Sequence, residues 1–354
     1  MNLTTYQRDA FAFPFWKQDV MLHESFWPVG SGEMEVPLLF RADEILSVRS
    51  SDLLTEYQEG RDYVLRDGRL FLTADTAIPV TPPEGYASPE PIANQFSATG
   101  FACRKGGYLF FAESSAIIKR QFMVTYRHAD LWAGPTPPDI RKKLPATMKK
   151  LENAIPFTVG YWGDSITTGC NASSLYGLAP NVEMWPIMTT EMLSSLYGVK
   201  LGYINKAVGG TSTPWGVSEF DKAFGDDHPA LLFVAFGMND ASGKRSPAEY
   251  AANTRRIIEL AREKTPDCEI VLIATTLPNP DAVGFEGPHA DYEPELMKIA
   301  EEYEGVAALP LTSFHAALLE KKPFRDMTGN NINHPNDFLT RIYTQYILAS
   351  LYQF

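Results

Sequence analysis

The hydrophobic and polar positions along the chain follow one pattern before about residue 130 and another after about residue 150. In the first part, short segments rich in β-branched and aromatic residues are separated by turn signals such as Asp67-Gly68 and Gly106-Gly107. Residues of these types fill the pleated surface of β-strands. The expected strands cover 63–65, 69–73, 107–111 and 121–126. Many short strands with few helix-length patterns predict an all-β, jelly-roll-like sandwich of antiparallel strands.

In the second part, continuous apolar runs predict strands that are buried on both faces. These runs cover 157–163, 231–237 and 269–276, with shorter ones near 201–207 and 306–311. They alternate with helical patterns near 182–197, 246–264, 292–304 and 336–352. The helix that starts at Ser246 is the best defined, because Ser246 and Glu249 form a capping box around Pro247. The alternation predicts a three-layer α/β/α domain with a parallel sheet.

A proline-rich segment, from Gly134 to Pro145, separates the two patterns. Proline fixes φ and lacks a backbone donor, so such a segment is typical of a linker. A chain of 354 residues is long enough for two domains that each bury a core. We therefore predict a β-sandwich accessory domain over 1–145 and an α/β catalytic domain over 146–354.

Chemistry-bearing residues follow the predicted strands of the second part. Ser165 comes directly after the first strand, and the glycine-rich turn 205–212 follows the second. Asn239 follows the third strand, and His334 lies on the loop before the last helix. Loops at the carboxyl ends of parallel strands meet in one crevice, where ligands bind. An exposed serine after a short buried strand suits nucleophilic catalysis.

These segments, in this order, resemble the conserved blocks of the SGNH (GDSL-type) hydrolases over residues 155–354. The matching blocks are Gly163-Asp164-Ser165, Gly209-Gly210, Gly237-Met238-Asn239-Asp240 and Asn331-Ile332-Asn333-His334. The resemblance implies a serine esterase with Ser165 as nucleophile and His334 as general base. An all-β domain before the hydrolase domain is also similar to two-domain carbohydrate (acetyl) esterases of that superfamily.

The resemblance further implies an oxyanion hole made by the backbone N–H groups of Ser165 and Gly210 and the side-chain amide of Asn239. Gly209 is the alternative to Gly210. Removing one donor from a comparable site costs roughly 3 to 4 kcal/mol of transition-state stabilisation.

The chain departs from the family pattern at Asn331, where the family has an aspartate. The corresponding change in a serine protease lowers kcat by about 10⁴. Three explanations stay open: Asp326 reaches His334, a backbone carbonyl orients His334 in a Ser-His dyad, or catalysis is weak or lost. We favour the dyad, with Asp326 second, and expect Asp337 to interact with the N-terminal donors of its own helix.

Composition and charge indicate which classes of partner and which cellular compartment to expect. A formal charge of −12, from 43 acidic and 31 basic residues, disfavours nucleic acid and anionic membrane surfaces. The isolated histidines His228 and His289 lack metal-site spacing, so we expect no metal and no other cofactor. Three widely spaced cysteines and an N-terminus without an apolar core predict free thiols in a cytoplasmic enzyme.

The favoured function is removal of acyl groups, acetyl above all, from a carbohydrate through an acyl-enzyme. Trp215, after the glycine turn, is a candidate for stacking on a sugar ring. One alternative is an esterase, lipase or thioesterase that acts on another small acyl ester. Another is a catalytically inactive carbohydrate-binding protein. The substrate is then a small-molecule or oligosaccharide ester, and a homo-oligomer is not excluded.

Overall fold

A computed structural model describes residues 2–354 of the chain. Up to residue 127, short strands form three separate three-stranded antiparallel sheets, in the orders β1-β9-β3, β2-β5-β4 and β6-β8-β7. The strands are β1 (Val20–Phe26), β2 (Met34–Val36), β3 (Glu44–Ser50), β4 (Tyr63–Arg66), β5 (Arg69–Leu72), β6 (Ala87–Ser88), β7 (Phe101–Ala102), β8 (Tyr108–Leu109) and β9 (Phe122–Arg127). The helices here are α1 (Arg8–Ala12) and α2 (Pro83–Tyr86), with 3-10 turns at Phe15–Lys17 and Ile118–Arg120.

The strand predictions for this region are confirmed within two residues at β4, β5 and β9. The predicted strand 107–111 is shorter, since only Tyr108–Leu109 pairs with neighbours. Strand β1 was missed by the sequence analysis. All seven of its residues are buried, including His23 and Glu24, so it lacks the alternation of a half-exposed strand.

After residue 150, five strands form one parallel sheet in the order β11-β10-β12-β13-β14. They are β10 (Phe157–Gly163), β11 (Leu201–Asn205), β12 (Leu231–Ala235), β13 (Glu269–Ile273) and β14 (Val306–Leu309). The helices of this part are α3 (Pro145–Glu152), α4 (Ser165–Thr168), α5 (Trp185–Tyr197), α6 (Thr213–Ser218), α7 (Phe220–Phe224), α8 (Met238–Ser242), α9 (Pro247–Lys264), α10 (His289–Glu302), α11 (Leu311–Leu319) and α12 (Asp337–Leu351). Further 3-10 turns lie at Arg141–Lys143, Ser173–Tyr176 and Phe324–Met327. The predicted mixed α/β fold with a parallel sheet is confirmed.

The predicted capping box is present at the start of α9. The Oγ atom of Ser246 accepts a hydrogen bond from the backbone N–H of Glu249 at 3.2 Å, and the Glu249 carboxylate accepts one from the Ser246 backbone at 3.4 Å. Two orphan donors are thereby satisfied, which fixes where the helix begins.

The two parts of the chain share a hydrophobic core. Phe26 and Tyr126 of the first part belong to the same buried cluster as Met327, Phe338 and Tyr346 of the second. Polar contacts cross the same boundary: the backbone N–H of Trp27 donates to Asp326 at 2.8 Å. The Asn336 amide donates to the Ser25 hydroxyl at 2.9 Å. A division at residue 145 stays a prediction, and extensive packing joins the regions on either side of it. Within residues 2–354, no helix has both the length and the apolar character needed to cross a membrane.

Candidate active site

Ser165 is the first residue of the short helix α4, which follows β10 after one intervening residue. That residue, Asp164, caps the helix by accepting a hydrogen bond from the backbone N–H of Ile166 at 3.0 Å. Gly163 is required by close packing, because a Cβ there would lie 2.3 Å from the Thr167 hydroxyl. The turn from strand to helix therefore holds the serine at the carboxyl edge of the sheet.

His334 lies against this serine. Its Nε2 atom is 2.8 Å from the Ser165 Oγ atom, although 169 residues separate the two in sequence. The histidine loop is held by Asn330, whose side-chain oxygen accepts the backbone N–H groups of Ile332 and His334 at 2.9 and 3.0 Å. This geometry can pass a proton between serine and histidine.

Two side chains face the other ring nitrogen of His334. The carboxylate of Glu113 lies 3.1 Å from Nδ1, and the Oδ1 atom of Asn171 lies 2.8 Å from it. The Asn171 amide nitrogen donates to the Gly329 carbonyl at 3.1 Å, which turns its oxygen toward the ring. The sequence patterns predicted a role for neither residue. In the sequence, Glu113 is marked only as a lone carboxylate after the Phe110-Phe111 pair. Asn171 is distinguished only in the structure, where it has a left-handed φ of 66°.

The Glu113 carboxylate is nearly enclosed, with 14% of its side chain exposed. Burial raises the pKa of Glu113, but hydrogen bonds to His334 and Asn330 and attraction to the imidazolium hold it below its ordinary value overall. Asn330 donates to its Oε1 atom at 2.7 Å. The carboxylate is therefore ionised near neutral pH.

The predicted orienting residues of His334 lie elsewhere. Asn331 donates to the Phe110 carbonyl at 3.0 Å and accepts from the Asn279 amide at 3.1 Å. Asp326 accepts the backbone N–H of Trp27 and lies 3.8 Å from the Lys322 ammonium, in the core between the two regions. The predicted dyad with a backbone carbonyl also differs from the structure, since Nδ1 faces side-chain oxygens.

Asp337 likewise lies away from its predicted partners. It accepts the backbone N–H of Ser173 at 2.8 Å, and Asn336 caps its helix instead by accepting from Leu339 at 3.1 Å.

The candidate oxyanion donors lie around the serine. Within residues 2–354, the backbone N–H groups of Ser165, Gly209 and Gly210 make no hydrogen bond, and all three residues line the same cavity. Gly210 has a φ of 77°, a left-handed conformation that favours glycine. Asn239 uses one amide hydrogen to donate to the Thr211 carbonyl at 2.8 Å, which leaves the second for a ligand. The geometry leaves the choice between Gly209 and Gly210 open.

Two buried aspartates support these loops. Asp240 joins the glycine turn to the Asn239 loop, because it accepts the backbone N–H of Thr213 at 3.0 Å and pairs with Arg245 at 2.8 Å. Burial raises the pKa of Asp164 to about 7, against the opposing effect of its hydrogen bond from Ile166.

The cavity in front of Ser165 has a volume of about 610 Å³. Aromatic side chains dominate its walls, and Glu113 is the carboxylate among its lining residues. The first part of the chain contributes Gln95, Phe96, Phe101, Phe111 and Glu113, and the second contributes Tyr176, Phe285, Ile332 and Asn333 around the serine and histidine. Both parts of the chain therefore form the site.

Trp215, the predicted stacking residue, does not line this cavity. Its ring packs on Trp162, with centroids 4.8 Å apart, against the buried cluster that contains Phe220 and Phe224. The three cysteines are free, as predicted. Within residues 2–354, no three His, Cys, Asp or Glu side chains are grouped so that they could hold a metal ion.

Comparison with known proteins identifies the class of protein. The sequence model of the GDSL-like lipase/acylhydrolase family matches residues 161–339, which are half of the chain. The chain therefore belongs to this family. No curated protein is significantly similar in sequence.

Solved structures share parts of the fold at low sequence identity. A two-domain esterase (CEX) active on acetylated mannans is 18% identical, with a TM-score of 0.48 over 60% of this chain and 52% of that one. The chain thus aligns with about half the length of that esterase. Axe2, an acetylxylan esterase from Geobacillus stearothermophilus, is 15% identical, with a TM-score of 0.46 over 56% of this chain and 95% of that one. An α/β hydrolase from the metagenome of Lake Arreo, Spain, is 13% identical, with a TM-score of 0.44 over 56% and 97%.

Proposed function

We propose that this protein is a serine esterase that removes a short acyl group, acetyl above all, from a carbohydrate through an acyl-enzyme. The observation that carries the proposal is the 2.8 Å contact between Ser165 Oγ and His334 Nε2 at the wall of a large cavity. Unpaired backbone donors lie beside that contact, so a nucleophile, a base and candidate oxyanion donors share one site.

The reaction proceeds in two halves. His334 Nε2 takes the Ser165 proton while Oγ attacks the ester carbonyl. The oxyanion is held by the backbone N–H of Ser165, that of Gly209 or Gly210, and the Asn239 amide. The imidazolium then protonates the leaving alkoxide, and the alcohol departs. Water, deprotonated by His334, attacks the acyl-serine, and the imidazolium returns the proton to Ser165 Oγ as the acid leaves.

The cavity lining supports an uncharged substrate with a ring-shaped alcohol part. Phe96, Phe101 and Phe111 offer rigid apolar ring faces, against which the C–H face of a sugar can pack. The rings of Phe101 and Phe111 are in edge contact, with centroids 4.8 Å apart, and Phe285 contacts Phe101 at 5.2 Å. We assign these rings the substrate contact predicted for Trp215, and we assign residues 1–145 the role of an accessory region that forms one wall of the site.

The same apolar lining favours a second candidate, an esterase for a longer or aromatic acyl group. A cavity of about 610 Å³ with aromatic walls has room for more than acetyl. The two candidates differ in which end of the ester the rings contact.

The decisive experiment compares the wild type with Ser165→Ala, using Ser218→Ala as the control. Ser218 is exposed and lies on α6. We expect Ser165→Ala to abolish hydrolysis of 4-nitrophenyl acetate and covalent labelling by a fluorophosphonate, and Ser218→Ala to retain both. Residual turnover above roughly one part in 10³ would contradict the assignment of Ser165.

An acyl-chain series then separates the substrates. Higher kcat/KM for acetylated xylo- or manno-oligosaccharides than for 4-nitrophenyl esters longer than butyryl supports the carbohydrate esterase. The reverse order supports the second candidate. Absence of fluorophosphonate labelling in the wild type would support an inactive binding protein instead.

A further inference from the structure

We propose that Glu113, contributed by the region before the α/β part of the chain, positions His334 and stabilises its protonated form during ester hydrolysis. This inference rests on the proposed function, because it assigns Glu113 a role through the Ser165–His334 pair. Glu113 precedes His334 by 221 residues in the sequence.

The geometry of the contact is well defined. A Glu113 carboxylate oxygen lies 3.1 Å from His334 Nδ1, and the two side chains are only 14% and 9% exposed. The carboxylate is held in place by Asn330, which donates to its Oε1 atom at 2.7 Å. Asn330 also accepts three backbone N–H groups of the histidine loop, so one residue couples the loop to the carboxylate.

In the family pattern an aspartate three residues before the histidine orients it, and this chain has Asn331 at that position. Asn331 has a φ of 68°, and its side chain is held by the Phe110 carbonyl and the Asn279 amide. Its hydrogen bond to Phe110 ties the histidine loop to the segment that carries Glu113. Asn331 thus contributes to the placement of Glu113, and within residues 2–354 its side-chain hydrogen bonds go to Phe110 and Asn279 rather than to the imidazole.

Asn171 and Glu113 both lie within hydrogen-bonding distance of His334 Nδ1, and they contribute in different ways. Its Oδ1 atom accepts from Nδ1–H at 2.8 Å, and its own amide is oriented by the Gly329 carbonyl. A neutral acceptor is sufficient to select the tautomer with hydrogen on Nδ1, which leaves Nε2 free to accept the serine proton. Glu113 adds the negative charge, which favours the imidazolium formed in the transition state.

Other titratable groups near His334 do not supply this charge. Burial raises the pKa of Cys170 and of Tyr176, so both stay neutral around pH 7. Asp164 lies on the serine side of the site, next to Ser165, and burial raises its pKa to about 7. Asp164 is unchanged in a Glu113 variant, so its effect cancels when that variant is compared with the wild type.

The test compares Glu113→Gln with the wild type and with a control, Glu90→Gln, which alters an exposed carboxylate of the same region. We expect Glu113→Gln to lower kcat for 4-nitrophenyl acetate by roughly 10- to 100-fold, with KM within about twofold. The loss stays below about 10⁴ because Asn171 still selects the tautomer. We also expect the acidic limb of the kcat/KM profile to move to lower pH, since the imidazolium loses its neighbouring charge. Glu90→Gln changes neither.

Each outcome has one meaning. A Glu113→Gln protein that keeps both kcat and the acidic limb, while Ser165→Ala is inactive, overturns this inference and leaves the proposed function intact. Failure of the wild type to hydrolyse any tested ester overturns the proposed function itself. Glu113→Asp provides a check for misfolding: partial recovery of kcat over Glu113→Gln supports the charge, and an equal loss in both, with an unmoved acidic limb, contradicts it.

Discussion

The parallel-sheet part of the molecule and the antiparallel part before it contribute to the site in different ways. The parallel part places Ser165 and Asn239 on short helices that follow strands, and Gly210 and His334 on loops, and all four line one cavity. The antiparallel part contributes aromatic rings from strand β7 and from irregular segments, and a carboxylate from an irregular segment. The candidate reacting groups thus come from the regular parallel-sheet topology, whereas the surroundings of the site depend on how the antiparallel part packs against the parallel part.

This division predicts which kinetic constant changes when each part is altered. Groups that contact the developing oxyanion act on kcat, because they bind the transition state more strongly than the substrate. Rings that contact a remote portion of the substrate act mainly on KM. Glu113 is the exception, since it lies in the antiparallel part and is expected to act on kcat.

The largest of these effects is expected at the oxyanion hole. Asn239→Ala should lower kcat by about 10² to 10³, with little change in KM, because it removes a donor from the transition state. The measurement is steady-state kinetics with 4-nitrophenyl acetate, with the exposed Asn153→Ala as control. An unchanged kcat would remove Asn239 from the oxyanion hole and weaken the assignment of chemistry to the parallel part.

A smaller effect is expected at the cavity wall of the antiparallel part. Phe96 is 66% exposed, so Phe96→Ala should not disturb folding. We expect KM for an acetylated oligosaccharide to rise by about three- to tenfold and that for 4-nitrophenyl acetate to stay constant. Leu54→Ala, at a residue that is 73% exposed outside the cavity, is the matched control. Equal changes for both substrates would contradict a role in contacting the sugar.

The smallest effects concern stability, and they have opposite signs in the two parts. Hydrogen bonding to Arg61 lowers the pKa of Asp62 to about 2, so this carboxylate stabilises the fold above about pH 4, and the stabilisation is lost as pH falls through about 2. Burial raises the pKa of Asp164 to about 7, so its contribution is greatest below about pH 4 and is lost as pH rises through about 7.

Thermal melting across pH tests both signs. Asp62→Asn should lower Tm near pH 7, and the loss should shrink toward pH 3. Asp164→Asn retains a capping oxygen, because asparagine caps helices about as well as aspartate. Its Tm should therefore rise relative to the wild type by a few degrees between about pH 5 and 8. A pH-independent difference in either variant would contradict the corresponding shift.

Much of the α/β part was predictable because its determinants are local. Continuous apolar runs marked the strands, which are four to seven residues long in the structure, and the Ser246 capping box marked the start of α9. The order of strand-end motifs placed Ser165 and His334 at one edge, since parallel strands bring their carboxyl ends together. These two side chains come within hydrogen-bonding distance in the folded chain.

The surroundings of the histidine were not predictable from such patterns. Glu113 lies in a segment without regular structure, and nothing in its neighbours signals a partner 221 residues away. Asp326 and Trp215 were reasonable candidates by sequence proximity to the motifs. Packing directs Asp326 to the Trp27 backbone and Trp215 onto Trp162.

The sequence by itself determined the family, the parallel sheet and the candidate reacting groups, because periodicity and short motifs are set by residues close together in the chain. Only the tertiary structure decided which carboxylate faces His334 and which rings line the cavity. Those contacts depend on how two regions with a shared core pack together. The free energy of that packing is distributed over many residues of the core, so the residues that come into contact carry no local sequence signal of it.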